Sequence, residues 1–147
     1  MKYISKHFNT LSGTEVYEIL KARCEVFLIG QDIRCLDMDG IDYKSHHCFY
    51  WENDRVVAYL RAFFEDPDRK IIHIGRVLAV EQGKGLGTLL MRRFLRDIRK
   101  NSTAEKIVLN SQSSATGFYE KFGFKKVGEI FFEAGVEHIK MELEVEK

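Results

Sequence analysis

A strand that runs through a glycine loop into a helix constrains this chain more than any other feature. The apolar stretch Gly75–Val80 leads to Gly83, Gly85 and Gly87, and an amphipathic segment follows. Glycine has no Cβ, so a ligand can come close to its backbone, and the first N–H groups of a helix have no partner within it. The positive end of the helix dipole favours an anion there. The segment therefore predicts a phosphate-binding loop between a strand and a helix.

Two common nucleotide-binding loops do not fit this spacing. A P-loop has a glycine five positions before its Gly-Lys-Ser/Thr ending, whereas Gly83-Lys84 has no such glycine and is followed by Gly85. A dinucleotide-binding loop requires Gly-x-Gly-x-x-Gly, and the third glycine here, Gly87, comes one position early. The strand-like run 106–109 also ends in Asn110 instead of an acidic residue.

The remaining pattern, Gln82-x-x-Gly85-x-Gly87, resembles the pyrophosphate-binding signature of the GNAT superfamily of N-acetyltransferases. A second segment, Ala115–Phe124, resembles the Ala-x-x-Phe-Tyr-Glu-Lys-x-Gly-Phe motif of that superfamily. The N-terminal half is similar to the ElaA-like branch at Arg23–Phe27, Gln31, Asp37, Asp39-Gly40, Asp42, His47 and Gly75–Val77. The chain departs from that branch at Ile29–Cys35, where the branch usually reads Val-Glu-Gln-x-Cys-Pro-Tyr.

This resemblance implies an α+β fold in a single domain over residues 1–147. Its central sheet is expected to be mixed, largely antiparallel and twisted, splayed between two central strands and flanked by helices. The implied activity is transfer of an acetyl group from acetyl-CoA, with coenzyme A as the product, directly to a primary amine of a small molecule or a protein. The leading alternative is a non-catalytic acyl-CoA-binding sensor or interaction module.

The resemblance also implies which residues bind acetyl-CoA. Backbone N–H groups of the glycine loop are expected to hold the pyrophosphate, and those of the preceding strand to bind the pantetheine like an added strand. One strand amide can also face the thioester oxygen. The predicted binding residues are Val77, Leu78, Ala79, Val80, Gln82, Gly83, Lys84, Gly85, Leu86, Gly87 and Thr88.

Acetyl transfer to an amine needs a proton donor for the leaving thiolate and a proton acceptor for the ammonium. Tyr119 occupies the position of the general acid in the resembled family, and a phenol with an ordinary pKa of about 10 can protonate a thiolate. His73 is the predicted base because it lies on the strand before the loop, nine residues ahead of Gln82, near the position where the resembled family often has a base. His138, Glu81 or a water molecule are open alternatives for the base.

The acidic residues between Asp37 and Asp42 do not predict a metal site. A calcium loop has glycine in its sixth position, whereas Gly40 is fourth here and Ile41 takes the fifth. Arg76 is predicted instead to pair with a carboxylate such as Asp37 or Asp39.

Composition limits the partners of this chain. Its 147 residues suit one compact domain, and a formal net charge of +1 gives no footprint for nucleic acid or an anionic membrane. No apolar run approaches the roughly 18 residues of a membrane span. Cys24, Cys35 and Cys48 are predicted to be buried free thiols of a cytoplasmic protein. Exposed strand edges make a homodimer an open possibility.

Local patterns predict most of the secondary structure. Ser12 and Glu15 form a capping-box pattern, which predicts a helix from Gly13 to the Cys24 region. Asn53-Asp54 predicts a hairpin turn, and the Ser113 or Ser114 hydroxyl is expected to cap a short helix that ends at Gly123. The expected strands are 47–51, 56–64, 70–80, 127–132 and 137–145, and an amphipathic helix follows Gly87.

Overall fold

The computed structural model describes all 147 residues. Seven strands and three α-helices follow one another along the chain: β1 (Lys2–His7), α1 (Gly13–Arg23), β2 (His46–Glu52), β3 (Arg55–Phe64), β4 (Ile71–Ala79), α2 (Leu86–Asn101), β5 (Lys106–Gln112), α3 (Thr116–Glu120), β6 (Lys125–Glu133) and β7 (Val136–Glu144). A wider π-helical segment, Cys24–Gly30, continues α1, and three short 3₁₀ turns lie in the connections.

The seven strands form one sheet in the order β1-β2-β3-β4-β5-β7-β6. All neighbours are antiparallel except β4 and β5, which are parallel and pair only where Ile71–His73 faces Lys106–Val108. Beyond His73 the two strands have no backbone pairing, while β5 stays paired with β7 as far as Gln112. The expected mixed, largely antiparallel sheet, open between two central strands, is therefore confirmed.

Helices cover the sheet on both faces. The apolar face of α2 buries Leu90, Met91 and Phe94 in the larger core, together with Ile72 and Ile74 of β4. On the opposite face, the side chains of α1 form a smaller core with β2 and β3, to which Ile19, Ala22, Phe49 and Tyr59 belong. Each fully buried apolar side chain of this size contributes about 1.5–3 kcal/mol to folding.

Local signals place the start of α1 and the β2–β3 turn where the sequence predicts them. The N–H of Glu15 donates to Ser12 Oγ at 3.0 Å, and the N–H of Ser12 donates to Glu15 Oε1 at 2.8 Å, which completes the capping box. Asn53 and Asp54 both have positive φ, 52° and 60° respectively, as the primed turns of two-residue hairpins require.

Three expectations are wrong or incomplete. Cys24 and Cys35 are exposed and only Cys48 is buried, because α1 turns the neighbouring Arg23 inward and Cys35 lies in an unpacked connection. No side chain caps α3, since Ser113 lies inside a 3₁₀ turn that precedes it. Strand β1 and the π-helical segment were not predicted.

Two surface features bear on partners. Eight of the nine residues of β6 are exposed, and this strand has a neighbour on one side only. Such an edge can pair with another chain, so the homodimer stays a prediction. None of the helices is both long and apolar enough to cross a membrane.

Candidate active site

The site begins where β4 leaves β5. Tyr59 pairs with Leu78 and Arg61 pairs with Gly75, so β4 carries one extra residue between these two pairs. The extra residue forms a β-bulge in which Arg76 has a φ of +54°, a left-handed conformation that costs a non-glycine residue about 1–2 kcal/mol. Since β4 pairs with β5 only as far as His73, its edge on that side is free of strand partners from the bulge onward.

The glycine loop connects this edge to α2. Gly83 and Gly85 have φ values of +78° and +72°, and no atom lies within 4 Å of the position that a Cβ would take on either residue. Gly85 is the N-cap of α2, and no side chain caps the helix there. The first turn of α2 has no acidic residue and its last turn has Arg99 and Lys100. This open, uncapped helix start fits a pyrophosphate, because its N–H groups and dipole favour an anion.

A cavity of about 330 Å³ lies between the β4 edge, the loop and α3. Ten of the predicted residues line it: Val77, Leu78, Ala79, Gln82, Gly83, Gly85, Leu86, Gly87, Thr88 and Tyr119. Val80 does not, and its N–H donates to the carbonyl oxygen of Val57 at 3.0 Å, so this amide is not free for a ligand. Lys84 and His73 also lie outside the lining.

Tyr119 forms the end of the cavity that belongs to α3. Its side chain is buried among Phe118 and Phe124, with ring centroids 5.1 Å and 6.0 Å away. Burial raises the pKa of its phenol above the ordinary value, and no hydrogen bond or charge offsets this effect. The hydroxyl therefore keeps its proton at neutral pH. Gly87 of α2 lies against this part of α3, since its Cβ position is in van der Waals contact, 3.5 Å, with the Phe118 ring.

Two histidines lie on the strands beside the gap, outside the cavity lining. His73 Nδ1 is 2.6 Å from Glu65 Oε1. His138 Nδ1 is 2.7 Å from the carbonyl oxygen of Val136, and its Nε2 is 3.7 Å from Glu133 Oε2. A carbonyl or carboxylate oxygen accepts a hydrogen bond, so in both rings Nδ1 carries the proton and Nε2 of the neutral ring has a free lone pair.

Glu81 lines the cavity, but its pairing with Lys84 weakens it as a proton acceptor. Its carboxylate is 2.7 Å from Lys84 Nζ, and both side chains are exposed. The hydrogen bond and the charge of Lys84 lower the pKa of Glu81. A carboxylate with a lowered pKa takes up a proton less readily.

A pair of glutamines that the sequence did not single out together spans the site. Gln112 Nε2 donates to Gln31 Oε1 at 2.8 Å, which joins the end of β5 to the residue that follows the π-helical segment. Gln31 lines the cavity, and Gln112 pairs in register with His138. No local sequence signal predicts this contact, because the two residues are 81 positions apart.

Asp37 joins the β4 bulge to a buried arginine. Arg76 Nε donates to Asp37 Oδ1 at 2.7 Å, and Arg23 Nε donates to Asp37 Oδ2 at 2.7 Å. The predicted pairing of Arg76 with Asp37 is therefore confirmed. Arg76 Nη2 also donates to the carbonyl oxygen of Asp37 at 2.9 Å. The Arg23 side chain is fully buried, so its charge depends on these partners.

Asp39 and Asp42 extend this cluster of charges to β3. Arg61 donates through Nη1 and Nη2 to the two oxygens of Asp39, at 2.8 Å and 2.6 Å. Asp42 Oδ1 accepts from Arg23 at 2.7 Å and from Arg61 at 3.1 Å. Partial burial alone would raise the pKa of Asp39, but the Arg61 hydrogen bonds and charge outweigh it and lower this pKa to about 2. The aspartates are thus bound to arginines.

An open parallel strand pair with a glycine loop and helix start beside it is the architecture of acyl-CoA-dependent transferases, and the comparisons agree. Residues 29–145 match the model of the acetyltransferase (GNAT) domain family. The chain is 35% identical over 143 residues to Protein ElaA of Escherichia coli, which covers 95% of this chain and 94% of that protein. The chain therefore belongs to the GNAT acetyltransferase family, whose members use acyl-CoA as co-substrate.

Solved structures give the same result. A crystal structure of an acyl-CoA N-acyltransferase from Pseudomonas aeruginosa superposes with a TM-score of 0.88 at 30% identity, covering 97% of this chain and 99% of that one. The crystal structure of Escherichia coli ElaA superposes with a TM-score of 0.86 at 32% identity, covering 96% of this chain and 97% of that one. The likeness spans almost the whole length of each chain, including the GNAT-type sheet.

Proposed function

We propose that this protein transfers an acetyl group from acetyl-CoA to a primary amine of a small molecule or a protein, with Tyr119 as general acid. The observation that supports this most is the phenol of Tyr119, which lies in the lining of the cavity beside the glycine loop and has no partner in the protein. A protonated phenol in this place can donate to the thiolate that leaves when the C–S bond breaks.

The remaining residues bind and orient. The N–H groups of the Gly83–Thr88 loop hold the phosphates, and the unpaired edge formed by Val77, Leu78 and Ala79 pairs with the pantetheine as an added strand would. The amine nitrogen attacks the thioester carbon directly, so the C–N bond forms as the C–S bond breaks. A strand amide that faces the carbonyl oxygen stabilises the charge that develops on it, by about 3 kcal/mol for one well-placed donor.

We assign the proton acceptor for the ammonium to His73. Its Nδ1 is bound to Glu65, which keeps Nε2 available as the basic atom. His138 has the same arrangement, with Nδ1 bound to a backbone carbonyl, and is the alternative base. Substituting each histidine by glutamine and recording kcat/KM against pH separates them, because only loss of the true base removes the rise in rate as that group deprotonates.

The decisive experiment is calorimetric titration of acetyl-CoA into wild type and Gly85→Glu. The new carboxylate repels the pyrophosphate and lies in open space, so we expect affinity to fall by at least about tenfold. Gly135→Glu is the matched control, since Gly135 has a φ of +73° and equally open surroundings in the β6–β7 turn. It should fold and bind as wild type does.

Each other outcome has a definite meaning. If wild type does not bind acetyl-CoA, the transferase proposal fails. If wild type binds but acetylates no member of a broad panel of amines and lysine peptides, the protein is an acyl-CoA-binding sensor instead. If Gly135→Glu loses affinity as much as Gly85→Glu does, the loss reflects the strain of a side chain at positive φ and the loop is not the phosphate site.

A further inference from the structure

We propose that Arg76 is a positioning residue: its side chain, held by Asp37, keeps the β4 bulge in the backbone shape that presents the free strand edge to acyl-CoA. This inference rests on the proposed function in one respect, because the ligand of that edge is the acyl-CoA of the proposed reaction. The shape of the bulge itself can be measured without any ligand.

The bulge lies where β4 has no other restraint on its open side. Pairing with β5 ends at His73, and Val77, the residue after Arg76, already lines the cavity. Arg76 and Val77 together face one residue of β3. The backbone direction of Val77 and the residues after it is therefore set at Arg76.

Arg76 has a conformation that its own backbone does not favour. A φ of +54° suits glycine, whereas a residue with a Cβ prefers negative φ. If the side chain were free, the peptide at this position would relax toward an extended strand and the amides after it would turn away. Something outside the strand must hold the bulge.

The side chain supplies that restraint. Two of its nitrogens bind one residue, with Nε at 2.7 Å from Asp37 Oδ1 and Nη2 at 2.9 Å from the Asp37 carbonyl oxygen. Asp37 cannot rotate away, because its second carboxylate oxygen accepts from Arg23 at 2.7 Å and the Arg23 side chain is fully buried. The planar guanidinium fixes direction as well as distance, which a lysine would not do.

Two substitutions at Arg76 separate the side chain from the backbone shape. Arg76→Ala removes the restraint and keeps the penalty for positive φ, whereas Arg76→Gly removes both. The Arg76 side chain is 28% exposed, so its loss leaves no deeply buried charge of its own. Ser12→Ala is the control, because Ser12 binds Glu15 in the capping box of α1 and contacts neither Arg76 nor Asp37.

The first measurement is amide hydrogen exchange of the segment Gly75–Val80 in the protein without ligand, and the second is acetyl-CoA affinity by calorimetry. We expect Arg76→Ala to exchange faster in this segment and to bind acetyl-CoA about tenfold more weakly, the factor that one residue at positive φ is worth. Arg76→Gly should recover most of the protection from hydrogen exchange and most of the affinity for acetyl-CoA. Ser12→Ala should lower the melting temperature without changing either measurement.

Three results would overturn the inference. Arg76→Ala with wild-type exchange and affinity would show that the side chain is not needed for the bulge. Arg76→Gly as impaired as Arg76→Ala would show that the charge of Arg76 matters and the backbone shape does not. Equal losses in Ser12→Ala would assign the effect to general stability. If wild type itself does not bind acetyl-CoA, the proposed function fails while hydrogen exchange still decides the role of Arg76.

Discussion

Tyr119→Phe should abolish most of the activity while leaving the fold intact. The substitution removes one oxygen that has no hydrogen-bond partner in the protein and keeps the ring that packs against Phe118 and Phe124. Because no buried group loses a partner, we expect the free energy of unfolding to change by less than about 0.5 kcal/mol. The melting temperature of a domain of this size should then shift by no more than about 2 °C.

The loss of activity follows from the chemistry of the leaving group. Without a proton donor the thiolate must leave as an anion inside a partly apolar cavity, and a positioned general acid contributes roughly 10²–10⁴ in rate. We expect this loss in kcat, with little change in the affinity for acetyl-CoA. Coenzyme A release, measured with a thiol reagent while acetyl-CoA and the amine are both saturating, reports kcat directly.

Tyr50→Phe is the matched control for this experiment. Tyr50 belongs to the same core as Tyr119 and both residues are 8% exposed, but Tyr50 does not line the cavity. Its loss of a hydroxyl should leave kcat unchanged. If the kcat of Tyr119→Phe is within about threefold of the wild-type value, the proposed role is refuted, because loss of a general acid lowers the rate much further. An equal loss in both variants would show that aromatic packing matters and proton donation does not.

The remaining predictions concern stability and reactivity. The lowered pKa of Asp39, about 2, means that its contribution to stability is complete above its ordinary pKa of 3.8 and is lost as the pH falls toward 2. Asp39→Asn should therefore lower the free energy of unfolding at pH 6 by about 1 kcal/mol and reduce the difference between pH 6 and pH 3 in urea titrations. Ser12→Ala removes the side-chain acceptor of the capping box and should cost about 1 kcal/mol in the same assay. Under native conditions a thiol reagent should modify the exposed Cys24 and Cys35 quickly. Cys48 should react only on unfolding, because burial shields its thiol and raises its pKa. Rapid reaction of all three cysteines would contradict the packing around Cys48.

The parts of the fold that the sequence predicts well are those with local causes. The glycine loop can be predicted because Gly83 and Gly85 adopt positive φ, which other residues avoid. The helix α2 can be predicted because its apolar residues recur at helical spacing. The β2–β3 hairpin follows from Asn53-Asp54, two residues that tolerate the turn conformation.

The parts that the sequence does not predict depend on distant partners. Asp37 binds arginines 14 and 39 positions away, so its place between them can be seen only once α1 and β4 are side by side. The strand β1 pairs with β2, whose paired residues lie 39 to 49 positions further along the chain. Its own short, mostly polar sequence has no clear alternation. Whether a cysteine faces solvent is likewise decided by which neighbour the helix turns inward.

If this protein binds acyl-CoA as proposed, the short parallel pairing of β4 and β5 ties its lifetime to the supply of that ligand. The two halves of the sheet share backbone hydrogen bonds only around Ile71–His73. Beyond these residues β4 has no strand partner on the β5 side, and a bound pantetheine would supply that missing pairing. A ligand that binds only the folded form adds to its stability in proportion to the logarithm of its concentration. In a cell rich in acyl-CoA, fewer molecules would open far enough for a protease to cut them, and protein abundance would rise with that metabolite even at a constant rate of synthesis.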